Sequence, residues 1–327
     1  MPAHRFRLEL TALSILLLGV LGACGLPGAS KKSTAAFSQG GQWTNTDFSK
    51  IIVPMSEFKT GGIMKDGIPA IDKPTFVDYR KADAWLSDQA PILVVTVDGK
   101  SHGYPLAVLL WHEIINDTVG GVPLAATYCP LCSAPIVFQR QLDGMTLTFG
   151  TTGRLRKSDL VMYDRQTQSW WQQYTGRCLV GSLAGKRLFI IQSKVMAYGK
   201  MKEELPAAEM LSKSTGYSRS YGFTPYIGYE RTKGTPPLFN GEIDDRLPPL
   251  ERVVGVLANR SRRAYQLRTF KDQALLNDKL GGVPLVLFRT GKTHCDLDSM
   301  KLDESRTAPT VSVFSRVAGS RTLEFYQ

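Results

Sequence analysis

Histidine is scarce in this chain, with four in 327 residues. Gly-x-Ser-x-Gly, His-Glu-x-x-His, a lysine-bearing phosphate loop and the Gly-x-Gly-x-x-Gly fingerprint are all missing. These absences remove the usual signs of a serine hydrolase, a zinc-helix protease, a nucleotide hydrolase and a dinucleotide-dependent oxidoreductase. His112-Glu113 lacks the second histidine that a metalloprotease helix requires. No apolar run approaches the roughly 20 residues that span a bilayer as a helix. Long basic runs are also missing, the densest being Arg260-Ser261-Arg262-Arg263. The formal charge of +11 is therefore scattered over a solvated surface, and no nucleic-acid partner is expected.

What is present begins with an export signal. Arg5 and Arg7 precede an almost continuously apolar run of about 13 residues over 11–23, and Cys24 follows. The exit Leu21-Gly22-Ala23-Cys24 has the form of a lipoprotein cleavage site, in which the Cys24 thiol takes the lipid. Two or three acyl chains (palmitate among them), at roughly 0.8 kcal/mol per buried CH₂, would anchor the protein stably to a membrane. Gly25 rather than Asp after the cysteine favours the outer membrane, facing the periplasm, in a host with two membranes. Residues 24–45 are small, polar and Gly-rich and read as a flexible tether. The roughly 300 residues that remain suffice for one large domain or two ordinary ones.

An internal repeat organises the rest. Asn116-Asp117-Thr118-Val119-Gly120-Gly121-Val122-Pro123-Leu124 returns 161 residues later as Asn277-Asp278-Lys279-Leu280-Gly281-Gly282-Val283-Pro284-Leu285. Tyr104 and Leu106 match Tyr265 and Leu267 at the same offset. Val137-Phe138 and Arg140 match Val313-Phe314 and Arg316 after an insertion around 295–306. The expectation is an α+β, β-rich fold built by tandem duplication of a strand–helix–hairpin unit, with a loop-rich segment between the copies. The first repeat and that segment occupy 46–250, with a core at about 92–150, and the second repeat 251–327. Helices are predicted over 106–115 and 200–212, strands over 92–97, 122–128, 160–163 and 178–191.

The repeat separates what serves the fold from what serves a site. Only the first copy has Tyr128-Cys129-Pro130-Leu131-Cys132; Thr290 and Thr293 stand at the equivalent positions of the second. His112 likewise becomes Gln273. Two thiols and an imidazole lost together point to a zinc or copper site of Cys129, Cys132 and His112, with Met162, Asp164 or water as the candidate fourth ligand. The alternatives are a thiol–disulfide oxidoreductase, with Cys129 attacking and Cys132 resolving, and a structural disulfide. A third reading is a non-catalytic envelope-binding module. Cys178 and Cys295 could pair in an oxidising compartment. His102 is expected to face solvent.

The chain resembles the domain-of-unknown-function family numbered 3179. The resemblance rests on Tyr104-Pro105-Leu106, on 111–117 (WHEIIND), on 127–132 (TYCPLC), on 147–150 (LTFG), on 160–164 (LVMYD) and on Thr215-Gly216-Tyr217. It covers roughly residues 75–327 and implies an exported bacterial or archaeal protein, but no particular reaction. It draws attention to His112, Cys129, Cys132 and Met162-Tyr163-Asp164. Ser133 stands where the family pattern has Gly or Asn.

Overall fold

The computed structural model describes residues 41–236 and 238–326. The expected signal at 1–23, the lipidation at Cys24 and most of the expected tether lie outside these residues. Trp43, near the tether's expected end, is buried edge-on against Tyr163 and Trp170, with ring centroids 5.2 and 5.0 Å away.

Strand dominates, at 43% against 12% helix. Among the described residues there are two α-helices of seven residues, Leu106–His112 and Tyr198–Glu204. The fold is therefore β-rich with many small sheets, which corrects the α+β expectation. The helix predicted over 106–115 ends at His112 because Glu113 takes a left-handed backbone, with φ 57° and ψ −28°. The β-branched pair Ile114-Ile115 then begins the strand Ile114–Val119. The helix predicted over 200–212 stops at Glu204, two residues before Pro206, and Glu209–Leu211 is a strand.

The strand–helix–hairpin duplication is overturned as well. The stretch matching the first helix, Leu267–Lys271, is a single 3-10 turn carrying the weak helix formers Thr269 and Phe270. The expected pause at Asn116-Asp117 is a strand in both places, Ile114–Val119 and Leu275–Leu280.

One five-stranded sheet runs Ser193–Ala197, Pro91–Val97, Lys100–Pro105, Glu209–Leu211, Phe76–Asp78. His102 is buried in it, pairing with Asp117 at 2.8 Å and Glu209 at 3.4 Å, so it does not face solvent. A four-stranded sheet runs Ile190–Ile191, Ala134–Gln139, Val122–Cys129, Ile114–Val119. A second five-stranded sheet runs Phe58–Thr60, Phe149–Arg156, Asp159–Asp164, Trp170–Gln172, Arg177–Val180. The last two press together over Phe138, Phe149, Met162, Trp171 and Cys178, and Cys129 belongs to that core. No described helix is long and apolar enough to cross a membrane.

Candidate metal centre

The site is made where two tight connections face each other. Gly120 and Gly121, at φ 56° and 80°, turn Ile114–Val119 back onto Val122–Cys129 in full register. A Cβ at Gly120 would come within 2.6 Å of the Val97 carbonyl, so only glycine fits. The returning strand delivers Cys129 to its end, Pro130–Cys132 forms a 3-10 turn, and Ser133 at φ 46° sends the chain back through Ala134–Gln139. Both cysteines thus bracket one connection, with Cys129 directly opposite Ala134.

The facing connection joins Phe149–Arg156 to Asp159–Asp164 through Lys157 and Ser158, at φ 55° and 61°. Two successive left-handed residues make a hairpin turn usually given to Asn-Gly. This turn aims the Ser158 carbonyl and the Asp159 carboxylate at the thiols. Cys132 Sγ lies 3.5 Å from Ser158 O and 3.7 Å from Asp159 Oδ1, while Cys129 Sγ is 3.7 Å from Ser158 O. The Leu160 amide donates to Cys129 Sγ at 3.4 Å. One ligand atom each from Cys129, Cys132 and Asp159 lies within 4.8 Å of the others. Glu113, Ser133, Lys157 and Ser158 are all non-glycine residues held left-handed around this point. Such strain, of order 1–3 kcal/mol per residue, gathers where the surroundings impose it and a function keeps it.

The electrostatics are one-signed. Burial, then the charges of Cys132, Asp159 and Glu113, push the Cys129 thiol well above its usual range. Burial raises Asp159 to about 6, against the Tyr174 amide that donates to its Oδ2 at 3.0 Å. Burial raises Glu113 to about 8, with the charge of Asp159 adding to it. Glu113 is fixed by its own backbone: its amide donates to Leu109 O at 2.7 Å and its carbonyl accepts from Tyr128 N at 2.8 Å. The Tyr229 hydroxyl is buried without a protein partner and is acted on by both thiols.

His112 stands outside the group. Nδ1 is 2.7 Å from Pro69 O and Nε2 is 2.6 Å from Tyr221 Oη, so both ring nitrogens are engaged, and Tyr217 packs against the ring. Met162 is wholly buried in the core. Asp164 accepts from Thr167 N at 2.6 Å and Trp171 Nε1 at 2.9 Å, closing its own turn. All four described cysteines are free, and Cys178 and Cys295 are not paired. A cavity of about 210 Å³, walled by Trp85, Pro91, Tyr221, Phe223, His294 and Leu302, shares no lining residue with the cysteine group.

Sequence reasoning missed Asp159 and Glu113. Asp159 opens a strand read only as Leu-Val-Met-Tyr, and Glu113 was weighed only as part of a protease motif it does not complete.

The donor chemistry fits a metal. Two thiols and a carboxylate are donors that zinc and other thiolate-preferring metals take. A metal ion would favour the deprotonated thiols and carboxylate that burial alone disfavours. Among curated proteins and among solved structures, no match to this chain is found. A family model does match it over residues 65–324, and the chain belongs to that family, described as Protein of unknown function (DUF3179).

Proposed function

We propose that this protein is an exported, lipid-anchored zinc-binding protein whose metal is held by Cys129, Cys132 and Asp159. The observation that carries the reading is the convergence of two thiols and a carboxylate, Cys129 and Asp159 buried and Cys132 partly so, with one ligand atom of each within 4.8 Å of the others. Three protein donors leave one of zinc's four positions for water or an outside ligand, the arrangement of exchangeable and catalytic zinc rather than closed structural zinc. The Tyr229 hydroxyl, buried without a protein partner and acted on by both thiols, is a polar group available to such a ligand.

The oxidoreductase reading has less support. A reactive cysteine of that class has a lowered pKa and some exposure, whereas Cys129 is buried and its thiol is pushed up.

Metal analysis beside a free-thiol count tests the zinc reading. About one zinc per chain is expected, released when the thiols are alkylated. Metal-free protein with two freely reactive thiols would sink it. For the anchor, incorporation of labelled palmitate is expected in the wild type and lost in Cys24→Ser. Wild-type protein that takes up no lipid would refute that part.

A further inference from the structure

The two residues flanking the cysteines are gripped by one ion pair from far along the chain, buried Asp296 and partly exposed Arg252. Tyr128, just before Cys129, donates its hydroxyl to Asp296 Oδ2. Ser133, just after Cys132, accepts at Oγ from Arg252 Nη2 at 3.0 Å. The same Arg252 nitrogen reaches Asp296 Oδ1 at 2.9 Å and Glu230 Oε1 at 2.8 Å. Asp296 and Arg252 thus form a bridge whose two ends close on the two ends of the cysteine turn. Asp296 is 2% exposed and Tyr128 fully buried. Burying the Asp296 carboxyl, which burial pushes up to about 7, is costly compared with an apolar side chain of similar volume, which points to a task beyond stability.

The loop that presents Asp296 is itself fixed. Cys295 N donates to Arg306 O at 2.7 Å, and Asp298 accepts from Arg306 N at 2.9 Å and Arg231 Nε at 2.6 Å. Leu297 and Leu302 of the same loop are buried in the core that holds the helix Leu106–His112. Ser133 needs the grip most. Its left-handed backbone is one that a serine adopts only against strain, and a relaxed Ser133 would swing Cys132 away from Asp159.

We infer that Asp296 and Arg252 are positioning residues of the metal centre, holding both flanks of Cys129–Cys132 so that the two sulfurs face Asp159. This inference rests on the zinc reading above. Groups outside the ligand set that orient ligands typically alter metal affinity by about 10–100-fold when removed.

The test is a competition titration of the mature full-length chain with zinc against a chromophoric chelator. Asp296→Asn is expected to weaken zinc by about 10–100-fold, and Tyr128→Phe, which removes one hydroxyl and keeps the charge pair, by the lower end of that range. Arg252→Lys keeps the charge and withdraws the Nη2 that spans Ser133, Asp296 and Glu230, and should fall between them. Glu304→Gln is the control: it breaks the exposed ion pair to Lys301 in the same loop and touches neither the cysteine flanks nor the bonds that hold Asp296. It should leave affinity within about twofold, well under the effect of removing a ligand-orienting group. Should Asp296→Asn not fold, Tyr128→Phe decides. Wild-type affinity in Tyr128→Phe and Arg252→Lys overturns the inference, as does a Glu304→Gln loss equal to that of Asp296→Asn. A wild type that takes no zinc removes the metal reading and this inference together, whereas unchanged variants of a zinc-binding wild type remove only the inference.

Discussion

Two hairpins carry nearly the same sequence and end differently. Ile114–Val119 with Val122–Cys129, and Leu275–Leu280 with Val283–His294, each pair over six positions around a Gly-Gly turn. Gly120-Gly121 and Gly281-Gly282 have closely matching φ values, 56° and 80° against 57° and 84°. Asp117 accepts from Tyr104 as Asp278 does from Tyr265, and Asn116 bonds Phe149 O as Asn277 bonds Phe325 O. The first hairpin is almost wholly buried and breaks off at Cys129 into a 3-10 turn. The second is half-exposed and runs on through Thr290 and Thr293 to His294, with only a bulge between Arg289 and Gly291. Identical turn chemistry therefore sets the hairpin, and a proline with a facing acidic strand sets the site.

The largest expected effect breaks that contrast directly. Cys129→Ser/Cys132→Ser should abolish zinc binding in metal analysis, while Thr290→Cys/Thr293→Cys in the second hairpin should gain none. Those threonines lie on a continuing strand with no Asp159 opposite. Zinc taken up by the threonine-to-cysteine variant would mean that thiol spacing alone makes the site. Asp159→Asn should weaken zinc at least as much as an outer-shell change, on the order of 100-fold by competition titration.

A pH effect follows from the raised carboxyls. Burial lifts Glu113 from its ordinary 4.5 to about 8 and Asp159 from 3.8 to about 6. A carboxyl whose folded pKa is raised contributes stability below its unfolded pKa and loses it as pH climbs through the folded one. Metal-free protein should thus lose melting temperature between about pH 4 and 8, and Glu113→Gln should flatten the upper half of that fall. Saturating zinc should reverse the trend, because proton release favours the bound form as pH rises. A metal-free melting curve that does not depend on pH over this window would remove the buried-acid account.

The smallest effects compare the turns. Gly120→Ala would put a Cβ 2.6 Å from Val97 O, and Gly281→Ala one 2.3 Å from Ala258 O. Each should cost about 2 kcal/mol or more in chemical denaturation, from left-handed strain and the clash together. Gly121→Ala and Gly282→Ala meet nothing within 4 Å and should cost about 1 kcal/mol, from backbone strain alone. Equal losses at all four positions would show that the close approaches do not matter.

These comparisons also mark what the sequence can tell. The strands Pro91–Val97 and Val122–Cys129 were legible because β-branched and apolar runs end at clear turn residues. The strand Ile114–Val119 was not: its apolar residues continue the helical spacing of Leu106–His112, and only the left-handed turn of Glu113 separates them. Cys129 and Cys132 stood out through their spacing, and the structure sets their thiols against the same carbonyl. His112 vanishes with them in the second stretch for a reason unrelated to ligation: its imidazole is locked to Pro69 and Tyr221. Asp159 reaches the thiols only through the packing of one sheet on another, across a sequence gap no motif spans.

Zinc-edge X-ray absorption on the purified wild-type protein tests the central claim most directly. The account predicts two sulfurs at about 2.3 Å and oxygen or nitrogen neighbours at about 2.0–2.2 Å around one zinc. A shell with no sulfur, or with four sulfurs, would contradict a centre made of Cys129, Cys132 and Asp159.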